Sequence, residues 1–506
     1  MSASDIYNEA PLAPAVKTPP LGKKVVKGLG WLTGLSVASR ILLSIRVIIL
    51  ARLLSPGDIG LFGMAMLTLA MMDSLTQQGM SAALVQKDGD IRPYLGSAYS
   101  VKILRGILMG VLLYLSASYV AGFFHEPRVE PLLKVLSLVP VLSGLSNIGI
   151  IYFTRELDFR QTFIMQTGTT LVEIGLSLTC AFVWSSAWAL VAGRLGALLF
   201  SGAVSFVLTK ERFRPEWDWQ KIKELRRFGV WVFISSCITF ILIRGGDVVL
   251  GRLLPVTVLG MYRMAHELSN QPPLIVARMM NTLAFPAYSQ LQNEPARLQS
   301  AFLRSLLLLA TSVFFVVALT AALSPDGVPL LLGKRWEAAA PLMPWLAIWG
   351  ASRALGAAYS TLFNAMGKPH MTTIYQFIML IMFVIFVYPM AVRYGANGVA
   401  VTVSGIGMVA LLTRFPLVAR LLKMPALLLF KLTFIPIGAA LLGYGAAYAT
   451  RLALMELPIL VRLIACSVTC VGGFALTLLV FDRCGLYPII STINQVLPAR
   501  LRMKGV

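Results

Sequence analysis

Residues 49–65 read ILARLLSPGDIGLFGMA and residues 249–265 read VLGRLLPVTVLGMYRMA. The stretches align without a gap and agree at seven of seventeen positions, with Arg52-Leu53-Leu54 and Gly60 matched by Arg252-Leu253-Leu254 and Gly260. Each copy closes one long apolar run and opens the next. Six runs separate the copies, an even number, so both return to the same side of whatever the runs cross, as parallel repeats do. A fainter echo joins LLKVLSLVPVLSGL (132–145) to LMPWLAIWGASRAL (342–355), each beginning the fourth run of its block. The chain reads as a duplication.

Of its 506 residues, 57% are hydrophobic and 13% charged, where soluble domains average about 25% charged. Runs of about twenty apolar residues cross about 30 Å of hydrocarbon as helices, whereas a transmembrane barrel alternates over segments of about ten. The predicted class is an all-α polytopic membrane protein. Runs near 29–53, 59–83, 94–120, 132–153, 161–184 and 187–209 make one block. Those near 229–253, 257–280, 304–324, 342–364, 371–392 and 397–418 make the second, and 428–449 with 458–481 a final pair. The expected layout is about 14 transmembrane helices: two pseudo-symmetric six-helix lobes plus two C-terminal helices. Its segments are a disordered tail (1–28), an N-lobe (29–209), a linker (210–228), a C-lobe (229–424), the last two helices (425–481) and a second tail (482–506).

The formal net charge of +22 would suggest nucleic acid in a soluble chain. Here Lys and Arg concentrate in loops of one parity, which is the positive-inside pattern and places both termini in the cytoplasm. The densest cluster is KERFRPEWDWQKIKELRRFG (210–229), whose amphipathic part suits the membrane surface. Arg414 and Arg420 fall on the same side; Arg128, Lys334, Arg335, Arg393 and Arg451 fall on the other. Cys180, Cys237, Cys466 and Cys470 sit in apolar runs without metal-ligand company, so neither disulfides nor zinc are implied. Cys466 and Cys470 share a helix face and are expected to be small packing residues.

Ionisable residues inside a span are costly and mark a pathway or a pair. The first block contains Arg40, Arg46, Asp73, Glu173 and Arg194; the second contains Arg244, Asp247, His266, Glu267 and Arg353. Guanidinium groups suit phosphate through planar, bidentate hydrogen bonds. Arg40, Arg46, Arg244 and Arg353 are therefore the candidate substrate-binding residues, for an anionic, phosphate-bearing substrate. Asp73, Glu267, Asp247 and Glu173 are candidate sites for coupling to H⁺ or Na⁺. Each has a plainer reading: Arg244 and Asp247 are three apart and can pair with each other, and Glu173 has no evident partner along the chain. Lys102 and Arg105 suit snorkelling, and Arg52 and Arg252 suit capping of helix carbonyls. His125, His266 and His370 lack metal-ligand spacing, and no P-loop or nucleophile elbow is present, so no enzyme activity and no cofactor are predicted.

Several phrases, in order, resemble one family. They are ASRILLSIRVIILARLLSPGDIGLFGMA, LVQKDGDIRP, TLAFPAYSQLQNEPARLQSAFLR, LLLGKRWEAAAPLMPWLAIWG and NAMGKP. The resemblance covers about residues 25–425 and is to the polysaccharide exporters and lipid-linked oligosaccharide flippases of the multidrug/oligosaccharidyl-lipid/polysaccharide exporter superfamily. The pattern is most similar to the O-antigen, colanic acid and xanthan-type exporters of Gram-negative bacteria. It implies a V-shaped pair of bundles like that of the multidrug exporters, in the bacterial inner membrane. It also implies a substrate that is an undecaprenyl-pyrophosphate-linked oligosaccharide, moved outward by alternating access among membrane lipids, with polymerase and chain-length regulator proteins as further partners and no nucleic acid. Related lipid II flippases carry two first-span arginines six apart, and Arg40 and Arg46 match them. Where those flippases have basic residues and an acid late in the second span, this chain has Asp73-Ser74 and Gln77-Gln78, which argues against lipid II. The last two helices resemble a pair that forms a lipid-tail groove. A multidrug/cation antiporter of the same fold would prefer acids and aromatics to several arginines. A membrane glycosyltransferase would need a larger outside loop than 325–341, and a non-transport partner of a polymerase complex would leave the interior charges unused.

Overall fold

The computed structural model describes residues 42–43, 45–76, 84, 89–156, 159–209, 211–368 and 370–489, and these are helical or connect helices. Residues 45–53 form α1. There follow α2 (Pro56–Thr76), α3 (Arg92–Phe124), α4 (Val129–Leu136), α5 (Leu138–Leu145), a 3-10 turn (Ile148–Ile150), α6 (Ile151–Arg155), α7 (Phe159–Trp184) and α8 (Trp188–Leu208). Next come α9 (Trp219–Leu253), α10 (Val256–Gln290), α11 (Pro295–Leu331), a 3-10 segment (Lys334–Leu342) and α12 (Met343–Ala365). The chain ends in α13 (His370–Leu421), α14 (Ala426–Ala453) and α15 (Ile459–Arg483). Eight helices among the described residues are long and apolar enough to cross a membrane.

One of those eight holds two expected spans. Gly395 in α13 has φ 59 and ψ −139, a conformation open to glycine alone without strain, and the runs 371–392 and 397–418 lie on either side of it. The fourth expected span, 132–153, is not one helix. Ser146 and Asn147 are extended, and the buried Asn147 ties the break down: its backbone N–H donates to Ser205 Oγ (2.9 Å) and its amide donates to Thr209 Oγ1 (2.6 Å). Its side-chain oxygen accepts from the Gly149 N–H (2.8 Å). Hydropathy cannot see this, because an Asn with all its groups satisfied is as comfortable inside as a leucine. The linker also orders: α9 starts at Trp219, where Asp218 caps it by accepting from the N–H groups of Gln220 (3.0 Å) and Lys221 (3.3 Å). The Lys221 ammonium beside it holds the Asp218 carboxyl below its usual range.

The chain divides into two compact units, Pro19–Arg263 and the part from Met264 onward. Within the first, the repeated phrases touch each other at equivalent positions. A Cβ on Gly60 would stand 2.1 Å from the Val256 carbonyl oxygen, and one on Gly260 would stand 1.9 Å from the Pro56 carbonyl oxygen. Glycine is required at both because backbone meets backbone there. The contact is reciprocal, as contacts across a two-fold axis are. The boundary between these compact units falls at 263/264, and α9 with the start of α10 carries the second copy of the phrase to the first.

In the second unit the core runs through α11, α12, α13, α14 and α15. Helices α14 and α15 approach closely where Gly443 meets the Cys470 carbonyl and Gly473 meets Gly443. Cys466 and Cys470 are buried in that seam, with Cys466 Sγ donating to the Ala447 carbonyl (3.4 Å), while Cys484 is exposed. A maleimide that reaches both membrane faces is expected to alkylate Cys484 at least tenfold faster than Cys466 or Cys470 in the folded protein, since reaction needs an accessible thiolate. Equal rates by peptide mass spectrometry would contradict this packing.

Candidate functional site

Glycines in α8 bring the interior charges of the first unit together. A Cβ on Gly193 would lie 2.7 Å from Ser177 Cβ and 3.0 Å from the Glu173 carbonyl, and Gly196 faces Leu176. With no side chains in the way, α7 and α8 close on each other and Arg194 arrives beside Glu173. Arg46 reaches the same carboxylate from α1. Its Nη1 donates to Glu173 Oε1 at 2.8 Å and its Nε to Ser177 Oγ at 3.1 Å. Arg194 Nη1 stands 3.9 Å from Glu173 Oε2, and its Nε is buried without a hydrogen-bond partner. The side chains of Arg46, Glu173 and Arg194 are 11%, 20% and 33% exposed. Glu173 therefore has two partners, where sequence spacing offers none. The partners come from 127 residues before it and from the neighbouring helix, beyond the reach of periodicity.

The same motif recurs twice. Asp247 in α9 is buried and lies 3.4 Å from both Arg244 and Arg263. Arg263 also donates to the Gly63 carbonyl (2.8 Å) and fills the space a Cβ on Gly63 would need; 63 and 263 are again equivalent repeat positions. In the second unit, Asp326 of α11 is buried between Arg451 of α14 (3.0 Å) and Arg462 of α15 (2.6 Å). Each carboxylate thus lies between two guanidiniums and leaves one positive charge over. A lone buried charge would cost several kcal/mol, so the arrangement keeps arginines inside without an equal number of acids.

The remaining candidates are dispersed. Arg40 lies outside the described residues. Arg244 pairs with Asp247, the plainer of its two readings. Arg353 lies over the Trp349 ring (5.9 Å). Asp73 pairs with Arg105, which also donates to Thr76 Oγ1 (3.1 Å), so Arg105 is an ion-pair partner rather than a snorkelling cation. Lys102 likewise donates inward, to the Ser146 carbonyl and hydroxyl (2.7 Å each). Arg252 does cap a helix end, donating to the Phe123 carbonyl (2.6 Å). Glu267 is exposed and accepts from Gln271 (3.0 Å). Two and three residues on, the buried Ser269 Oγ and Asn270 Oδ1 have no hydrogen-bond partner. Pro272 and Pro273 lie inside the continuous helix α10 and withhold the N–H groups that would serve the Leu268 and Ser269 carbonyls. Among the described residues no group of His, Cys, Asp and Glu is arranged to hold a metal ion.

The second unit also holds a cavity of about 850 Å³ bounded by α11, the 3-10 segment, α12, the second half of α13, and α14. Its walls include Phe314, Val317, Trp345, Met408 and Tyr444, with Glu337 and Arg451 at its polar edge.

Long apolar helices that carry carboxylate-bridged arginines make this a polytopic helical membrane protein. The fold is similar to that of the lipid II flippase MurJ in an inward closed conformation, with TM-score 0.69 and 15% identity over 90% of this chain and 99% of that one. It is also similar to an inward-facing multidrug resistance MATE family transporter of the MOP superfamily, with TM-score 0.56 and 18% identity over 75% and 93%. Residues 49–341 match the polysaccharide biosynthesis protein family, and the chain belongs to that family. Its relatives include the lipopolysaccharide biosynthesis protein WzxC of Escherichia coli (strain K12), 23% identical over 69% of this chain and 71% of that one. The teichuronic acid biosynthesis protein TuaB of Bacillus subtilis (strain 168) is 20% identical over 67% and 70%. The succinoglycan biosynthesis transport protein ExoT of Rhizobium meliloti (strain 1021) is 23% identical over 64% and 66%.

Proposed function

We propose that this protein moves an undecaprenyl-pyrophosphate-linked oligosaccharide from the cytoplasmic to the outer leaflet of the bacterial inner membrane by alternating access, through fourteen spans arranged as two six-helix lobes and a final pair. The observation that carries the proposal is the Arg46–Glu173–Arg194 cluster, in which one carboxylate holds two guanidiniums and leaves a donor on Arg194 unused. The substrate diphosphate takes the place of Glu173: Arg46 and Arg194 turn from the carboxylate to phosphate oxygens, and Arg40, six residues before Arg46 in the sequence, remains a further binding candidate. Glu173, released by both cations, is the coupling candidate that stands nearest the diphosphate. Arg244 and Arg353 supply further positive charge, and Asp73, Asp247 and Glu267 remain the other coupling candidates. The acceptors around Ser269, Asn270 and the proline pair suit Na⁺. The isoprenoid tail stays in the bilayer, with the 850 Å³ cavity as its apolar rest. An inside-negative potential favours outward movement of the anion by about 2.3 kcal/mol per charge per 100 mV. Polymerase and chain-length regulator proteins would receive the product.

Arg46→Ala and Arg194→Ala are each expected to lower export roughly tenfold or more, the worth of one charge-assisted hydrogen bond, with the protein still in the membrane. The measurement is accumulation of lipid-linked oligosaccharide in cells lacking the gene and complemented with each variant. Wild-type export by both variants would overturn the assignment.

A further inference from the structure

Among the described residues three charged side chains are buried: Asp247, Asp326 and Arg414. Each aspartate holds two arginines. Among the described residues neither a carboxylate nor a hydrogen-bond acceptor meets Arg414, although it is only 7% exposed. Its guanidinium lies over the face of Tyr375, 5.0 Å from the ring centre, and Tyr375 spends its own hydroxyl on the Thr413 carbonyl (3.2 Å). On the other side stands Gly356 of α12, where a Cβ would come 2.6 Å from Arg414 Nη1; the glycine leaves room for the charge. One turn along, on the same face of α12, the fully buried Tyr359 hydroxyl has no hydrogen-bond partner and lies within electrostatic reach of the guanidinium. The guanidinium and the phenol hydroxyl therefore stand near each other, and no acceptor among the described residues meets either. Such groups are costly to bury unsatisfied. The donor set, a planar fork beside a hydroxyl, suits the oxygens of a phosphate.

We propose that Arg414 and Tyr359 form a phosphate-binding site in the second unit, separate from the Arg46–Glu173–Arg194 cluster and bound to Arg414 through its outer N–H groups while the Tyr375 ring supports the guanidinium from behind. Arg414 stands seven residues before the end of α13, roughly 10 Å along the axis, a depth that both a dissolved phosphate and the phosphate of a lipid headgroup can reach.

The test uses the purified full chain, first in dodecylmaltoside and then in phosphatidylglycerol nanodiscs, with melting temperature followed against inorganic phosphate at constant ionic strength. In detergent a saturable rise is expected for the wild type. Tyr359→Phe should raise the half-saturating phosphate concentration roughly tenfold, and Arg414→Gln should abolish the rise. Arg46→Ala with Arg194→Ala should keep it, which separates this site from the transport reading. If lipid phosphate is the natural occupant, the rise disappears in nanodiscs and Tyr359→Phe lowers the melting temperature there without added phosphate. If free phosphate is the occupant, the rise persists in nanodiscs. No rise in detergent, an equal rise in wild type and Tyr359→Phe, or loss of the rise in the Arg46/Arg194 variant would overturn the proposal.

Discussion

Asp326→Ala is expected to destabilise the protein by about 3 kcal/mol, the lower end of the range for breaking a buried ion pair. The carboxylate accepts from Arg451 Nε (3.0 Å) and from Arg462 Nε and Nη2 (3.0 and 2.6 Å). Removing it leaves two guanidiniums facing one another on α14 and α15, each partly buried. Both arginines keep some access to solvent, which is why the lower end applies. The same carboxylate fastens the last two helices to α11, so the loss should loosen that pair before the rest of the second unit. Unfolding in mixed micelles, with proteolysis of the 454–458 turn as a local readout, checks both effects. Asp326→Leu combined with Arg451→Met and Arg462→Met should recover most of the loss, because well-packed apolar groups can replace a buried ion cluster at little cost. A change below about 1 kcal/mol for Asp326→Ala would mean that solvent already screens the cluster.

Gly260→Leu is expected to be the most damaging single substitution in the first unit. Its Cβ alone would stand 1.9 Å from the Pro56 carbonyl oxygen and 3.0 Å from the Gly60 nitrogen. Backbone on two helices must move, so the cost exceeds the usual 1–3 kcal/mol for overpacking. The expected result is membrane accumulation well below a tenth of wild type, with Gly260→Ala intermediate. Gly327→Leu, where no atom lies within 4 Å of an added Cβ, should accumulate normally. Gly60→Ala with Gly260→Ala should depart from additivity, since both strain one contact. Normal accumulation of Gly260→Leu would show that the copies of the phrase do not touch.

Much of the chain was legible from periodicity. The runs of hydrophobic residues marked most of the helices, and the repeated phrase marked the two stretches that meet at Gly60 and Gly260, although the repeat alone announced no contact between them. Capping by Arg252 and the packing role of Cys466 and Cys470 followed from position and residue size. What periodicity could not reach were partners far apart in the chain. Glu173 reads as a lone acid until α1 and α8 bring Arg46 and Arg194 to it. Arg263 falls inside the expected run 257–280 yet is not among the candidates; the missing side chain of Gly63 is what makes room for it. Arg414 reads as part of the cytoplasmic basic cluster, since three basic residues follow one another at the end of that run; only its burial beside Gly356 and Tyr375 sets it apart. The fourth span reads as one helix because hydropathy weighs residues singly, whereas Asn147 breaks it by satisfying every one of its polar groups.

The contact between Gly60 and Gly260 bears on the descent of the chain. Equal positions touching across an axis is what the interface of a two-subunit complex looks like. The joint has the form of a subunit interface held within one chain. Elsewhere the two copies have been free to drift apart, as Gly63 and Arg263 have. At the joint, each glycine's freedom to change is set by the backbone of the other copy, so the halves there can only evolve together.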